Sequence, residues 1–244
     1  MQLRWWNAGA LAMVLAVGWL ADSLPLGGRS TGEISAMFPV LIMPAPYANA
    51  IWGLIYALLG CFVIYQLMPA KNKEPRPDAT GPWFIVSCAF NAVWIVLWHY
   101  LFIESSVFIM FGLLTTLFVV YISTRSSSGG APAQWFVQLP FSLYLGWMTV
   151  ATLVNVAVVL YANDWSGWGL SPEIWTLIML VAATLLAVLV GGRYVDPAYI
   201  AVFVWAFIAI GASVRVSGSI KLAAWLLAAS LFVYALSLLR KLVR

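Results

Sequence analysis

The chain has 244 residues, 64% of them hydrophobic and 8% charged, with a mean hydropathy of +0.97. A soluble domain carries roughly 25% charged residues, so the composition excludes that class and points to an all-α, polytopic transmembrane helix bundle. The formal net charge of +4 is then better used to orient the chain in a bilayer than to argue for nucleic acid. Cys61 and Cys88 both lie in apolar runs, and two cysteines are too few for a disulfide framework or a cysteine-rich metal site.

A membrane span takes about 20 apolar residues, and reading by that rule predicts eight segments. The first, 5–24, opens on Trp5-Trp6, a pair suited to an interfacial anchor, so it is expected to be a retained helix and not a removable signal. The loop "DSLPLGGRSTGEISAMFPVLIMPAP" that follows is long enough to fold back over the membrane. The second segment, 47–68, begins within "PAPYANAIWGLIY". Pro44 and Pro46 lack amide hydrogens and fix φ, which fits a helix start, where those donors go unpaired anyway. They also stiffen the end of the loop. Segments 82–102 and 106–123 come next, then "STRSSSGGAPAQ" as a flexible Ser/Gly linker.

The fifth segment is 135–161. After it, "ANDWSGWGLSPE" offers Trp165 and Trp168 to the interfacial aromatic belt. This loop reads as a seam between a five-helix domain, 1–161, and a three-helix extension, 162–244, built from segments 173–192, 198–214 and 222–239. The turn "RVSGSIK" before the last segment is short.

Basic residues give an independent check on the count. With the N-terminus inside, the cytoplasmic side holds nine (Arg4, Lys71, Lys73, Arg76, Arg125, Arg193, Arg240, Lys241 and Arg244) and the outside three (Arg29, Arg215 and Lys221). That split follows the positive-inside rule. It places both termini in the cytoplasm, for a protein of the bacterial cytoplasmic (inner) membrane.

Ionisable residues inside spans mark pumps and ion-coupled transporters. Here the carboxylates Asp22, Glu33, Glu74, Asp78, Glu104, Asp164, Glu173 and Asp196 map to loops or helix ends, and the lysines are peripheral. No mid-helix lysine is available for a retinal Schiff base. His99, the single histidine, sits beside Trp98 and Tyr100 and reads as an interfacial polar residue. An enzyme is the least supported class, because no nucleophile, base and orienter assemble from these helices.

What remains is polar-aromatic patterning. Residues three or four apart share a helix face. Asn49, Trp52 and Tyr56 line up on the second segment, Asn91, Trp94 and Trp98 on the third, and Pro140, Tyr144, Trp147, Ala151 and Asn155 on the fifth. Taken singly, each stripe is explained by interhelical packing, with asparagine as a polar tie between helices. Taken together, three stripes of amide plus indole or phenol describe a site for a flat, mostly apolar ligand.

These motifs resemble the tryptophan-rich sensory protein or translocator protein (TspO/MBR) family. The likeness rests on "PAPYANAIWGLIY", on Asn91 to Trp94 in "FNAVWIVLW", and on Pro140, Trp147, Ala151 and Asn155 in "LPFSLYLGWMTVATLVN"; it covers residues 1 to about 161. It implies a five-helix bundle whose first loop covers a pocket for porphyrins, other tetrapyrroles or sterol-like lipids. Trp52, Tyr56, Asn91, Trp94, Trp147 and Asn155 are the positions that carry over. The family's paired prolines are split here by Ala45, and Val159 stands where a tryptophan associated with porphyrin degradation is common. The three last segments have no counterpart in the five-helix members.

The expectation is therefore a membrane protein that binds a hydrophobic or tetrapyrrole ligand, for sensing or trafficking. No cofactor is required, and no metal site is expected. Its ligand-binding residues are Asn49, Trp52, Tyr56, Asn91, Trp94, Trp98, Tyr144, Trp147 and Asn155. Two alternatives stand beside it: a transporter of a small apolar molecule, and an assembly subunit of a membrane complex. In the latter, the last three segments would contact a membrane-protein partner or a second copy of the chain.

Overall fold

A computed structural model describes residues 2–24, 26–68, 80–126 and 131–243. Residues 69–79, with Lys71, Lys73, Glu74, Arg76 and Asp78, lie outside the described residues, as do 127–130 of the expected Ser/Gly linker and Arg244. Among the described residues all regular structure is helical. The long helices are α1 (Gln2–Ser23), α3 (Ile51–Leu67), α4 (Trp83–His99), α5 (Ile103–Ser126), α6 (Leu139–Ala162), α7 (Pro172–Arg193), α8 (Pro197–Gly211) and α9 (Gly218–Val243), with a short α2 (Thr31–Met37) in the first loop. Each of the eight expected segments corresponds to one long helix. Five stretches are long and apolar enough to cross a membrane: Pro46–Leu67, Ile103–Ser126, Gln134–Ala162, Pro172–Arg193 and Gly218–Leu242. α4 and α8 are apolar but shorter. Large apolar side chains such as Leu54, Phe108, Phe111, Leu185, Leu189, Leu226 and Val233 are exposed along these helices. In water such surface would drive aggregation; in a bilayer it meets lipid. The chain is an integral membrane protein.

Local sequence explains the helix boundaries. α7 starts at "SPE": Ser171 Oγ accepts from the Ile174 amide at 3.3 Å, Pro172 follows, and Glu173 occupies the first turn. α8 starts at "DPAY", where Asp196 Oδ1 accepts from the amides of Ala198 and Tyr199 at 3.1 and 3.2 Å. Both place a side-chain acceptor and a proline where a helix has unpaired donors. α2 carries a reciprocal capping box: the Ser30 amide donates to Glu33 Oε2 at 2.7 Å, and the Glu33 amide donates to Ser30 Oγ at 3.3 Å. The two proline residues of "PAPYANA" precede α3 differently from a plain helix start. Pro46–Ala50 form a 3-10 turn, and the α-helix begins at Ile51.

The chain divides into two compact units, residues 1–34 with 52–145 and residues 35–51 with 146–244. The change from one to the other falls inside the first loop and inside α6. In the first unit α1 and α5 both pack on α4. Its core holds a triad of edge-to-face rings, with Phe62 5.3 Å from Phe84 and 5.0 Å from Phe141. In the second unit α7, α8 and α9 pack on one another. α8 is the most enclosed, with Ile200, Phe203, Ala206, Phe207, Ala209 and Ile210 buried. Close approach depends on small residues, as membrane helix interfaces require: a Cβ on Gly191 would collide with Ile200, and one on Gly146 would lie 3.0 Å from Val202 Cβ.

The second half of the first loop is tied to α8. The Ala45 amide donates to the Ala209 carbonyl at 3.0 Å, and Trp205 Nε1 donates to the Ala48 carbonyl at 3.0 Å. Tyr47 meets Trp205 edge-on at 5.5 Å. The rigid proline turn that leads into α3 is therefore anchored by a helix about 160 residues further along the chain.

Candidate functional site

The first unit brings four of the expected residues together. α3 presents Trp52 and Tyr56 one turn apart, their rings stacked at 5.2 Å. Trp52 also meets Tyr144 edge-on at 6.0 Å. Between the phenols lies Asn91 of α4, 1% exposed, whose Nδ2 donates to Tyr144 Oη at 2.7 Å and to Tyr56 Oη at 3.4 Å. Tyr144 is equally enclosed, while Trp52 and Tyr56 are half-buried.

The donor and acceptor count at Asn91 is informative. An amide has two donors and an oxygen with two lone pairs. Both phenols sit at one end of this amide, and the other end, Oδ1, is buried with no partner. Exchanging nitrogen and oxygen, a common ambiguity, changes which atom is open but not that one end is open. One turn along, Trp94 stacks on Trp98 at 5.5 Å, and Trp94 Nε1 is buried without an acceptor. Buried indole N–H groups usually find a partner. Asn91 and Trp94 therefore put an open amide end and an open indole donor on the same face of α4, the first bonded to the Tyr56 and Tyr144 phenols and the second stacked on Trp98.

The remaining expected residues fall elsewhere. Asn49 lies in the 3-10 turn and is exposed. Trp147 and Asn155 follow on α6 in the second unit, both buried, with Trp147 Nε1 lacking a partner. A cleft within the second unit is lined by none of the nine expected residues.

His99 is buried and held at both ring nitrogens. Nδ1 is 2.8 Å from the Ile95 carbonyl, and Nε2 is 3.3 Å from Thr31 Oγ1, which itself donates to Asp22 Oδ1 at 2.9 Å. A carbonyl only accepts, so Nδ1 carries the proton of that bond. This chain of polar contacts ties the start of α2 to the end of α1 and the end of α4. It is not legible in the sequence, since the contact that closes it, Thr31 to His99, joins residues 68 apart. The Ser30-x-x-Glu33 capping box was readable as a motif. The sequence reading places Glu33 among the loop carboxylates, whereas it sits in the first turn of α2.

A family model described as TSPO-like protein matches residues 4–237. Neither the curated proteins nor the solved structures gave a match. The matched range runs past the seam at 162 and through almost all of α9, so the likeness seen in three motifs of the front helices extends over the last three as well. A chain with long apolar helices and nearly full-length agreement with that family is assigned accordingly: it belongs to the TSPO-like proteins.

Proposed function

We propose that this protein binds a hydrophobic or tetrapyrrole ligand within the membrane, with the binding face formed in the first unit by Trp52, Tyr56, Asn91, Trp94 and Tyr144, and with Trp98 as a further contributor. One observation carries the reading. On one face of α4, the Asn91 amide end and the Trp94 indole N–H are both buried and open; Asn91 bonds the Tyr56 and Tyr144 phenols, whose rings pack on Trp52, and Trp94 stacks on Trp98. Native proteins seldom leave such groups unsatisfied without a bound water, ion or ligand. A flat apolar molecule with a few polar edges supplies both the partners and the ring contacts.

In this reading all eight long helices cross the bacterial inner membrane with both termini cytoplasmic. Residues 1–161 form the ligand-binding domain, and 162–244 are an extension available to a second copy or a membrane-protein partner. The role is binding for sensing or trafficking, not catalysis.

The test is titration of the purified protein in detergent with protoporphyrin IX, followed by quenching of tryptophan fluorescence. Saturable quenching is expected, weakened about fivefold by Asn91→Ala, the equivalent of one hydrogen bond, and more by Trp52→Ala. Saturable quenching indifferent to both substitutions would move the site away from this face. Because ligand binds only the folded protein, the melting temperature should rise with ligand in the wild type.

A further inference from the structure

The second unit contains a cleft of about 460 Å³, within the range of small-molecule sites. Its walls come from the end of α6, the first two turns of α7, the connection between them, and residues 39–42 of the first loop. Leu41, Ile42, Tyr161, Trp165, Trp175 and Met179 make the lining mainly apolar and aromatic. Among the described residues that line it, Glu173 is the one that carries a charge.

The indoles here are held in place. Trp175 Nε1 donates to the Gly167 carbonyl at 2.7 Å, and the ring of Trp175 lies 4.8 Å from Trp165 and 5.7 Å from Trp168. Trp168 takes φ 50° and is 79% exposed. A bulky residue in the left-handed region is a genuine outlier, and such strain gathers at functional sites. The connection gives up backbone comfort to hold a large aromatic ring at the edge of the cleft. On the opposite wall, residues 39–42 belong to a segment tied down at both sides. Arg215 reaches the Phe38 carbonyl at 3.4 Å, and the Ala45 amide bonds to Ala209.

We infer that this cleft binds an amphiphile with a long alkyl or acyl chain and an ammonium head, a site separate from the tetrapyrrole site proposed above. The chain fills the Leu41, Ile42 and Met179 side. The ammonium stands at Glu173, where a carboxylate attracts it and neighbouring indole faces add the cation–π attraction that rings of this type offer. An anionic head, including the carboxylates of a porphyrin, meets repulsion from Glu173 instead. Tryptophans at the membrane surface are where a lipid-like molecule with one wet end and one dry end comes to rest. The same chemistry is available from a free alkylammonium or from a bilayer lipid with an ammonium headgroup.

The experiment uses the full-length protein in nanodiscs and a chain brominated at its end, which quenches nearby indoles. Two soluble probes, 12-bromododecyltrimethylammonium and 12-bromododecyl sulfate, are compared, and a third preparation carries brominated phosphatidylcholine in the disc. Saturable quenching by the ammonium probe and not by the sulfate is expected, weakened roughly three- to fivefold by Glu173→Gln, as for a part-exposed charge pair. Ala157→Trp, which fills the cleft, abolishes it, and Trp165→Phe removes most of its amplitude. Asn91→Ala leaves it unchanged, so this site stands or falls apart from the tetrapyrrole site. If the brominated lipid produces the Glu173-sensitive quenching, the occupant comes from the bilayer and the assignment holds. Equal quenching by the sulfate, or no response to either Glu173→Gln or Ala157→Trp in variants that melt as the wild type does, overturns it.

Discussion

Asn91 and Tyr144 are joined by a 2.7 Å hydrogen bond between α4 and α6, in surroundings where both side chains are 1% exposed. Inside a membrane protein such a bond is worth about 0.6 kcal/mol on average and up to about 1.7 kcal/mol. Tyr144→Phe removes it, and its short length places the expected loss toward the upper end. Tyr56→Phe removes a contact of 3.4 Å and is expected to change stability by less than half as much. Thermal unfolding in detergent, without ligand, compares the two. Equal losses would show that the amide does not favour Tyr144 over Tyr56.

Gly27 has φ +68°, and a Cβ there would lie 2.5 Å from the His99 carbonyl oxygen. Gly28 also has a positive φ, +78°, but faces open space. The pair separates two effects that a single glycine substitution confounds. Gly28→Ala carries only the left-handed backbone penalty, about 1–2 kcal/mol. Gly27→Ala adds a collision with backbone that has no flexible end to move, another ~1–3 kcal/mol by analogy with overpacked sites. The first substitution should leave the loop in place with a slightly lower melting temperature. The second should also raise hydrogen exchange from residue 26 to residue 34, and similar exchange in the two variants would argue against the close approach.

The helices were legible because apolar runs of the right length alternate with proline, glycine and charge, and those local signals also place caps such as Ser171-Pro172 and Asp196-Pro197. The Asn91 stripe was legible for the same reason: its spacing is a property of one helix. The partners were not. Asn91 meets Tyr144 53 residues later, and Ala48 meets Trp205 157 residues later; spacing within one segment carries no information about which distant segment packs on it. Asn49 shows the limit from the other side. It shares the i, i+3 spacing with Trp52, yet the proline-rich stretch adopts a 3-10 turn, which rotates about 120° per residue instead of 100°. The helical-face argument assumed one continuous α-helix and does not apply across that change.

Trp205 donates to the Ala48 carbonyl at 3.0 Å and stacks edge-on with Tyr47. Trp205→Phe keeps a ring against Tyr47 and deletes only the hydrogen bond, at an expected loss of about 1 kcal/mol. The released carbonyl belongs to the turn that starts the Trp52 helix. Protease sensitivity or hydrogen exchange around residues 46–50 should therefore rise more than elsewhere in the chain. A uniform rise would mean that the indole serves general packing and does not tether this turn.

Glu33 provides a pH-dependent reading of the first loop. The Ser30 amide, and then the Ser30 hydroxyl, donate to its carboxylate, with Arg29 adding a smaller attraction; together they hold its pKa below the ordinary carboxylate range. A folded-state pKa lower than the unfolded one means that the charged form favours the capped helix. The contribution is fully present above the ordinary carboxylate pKa and fades as pH falls through the lower, folded-state value. The Ser30 amide resonance should titrate in that acidic window in the wild type. In Glu33→Gln the side-chain carbonyl still accepts from Ser30, so α2 persists, but the resonance should stay still over the same range. A titration that survives the substitution would assign the proton to a different group.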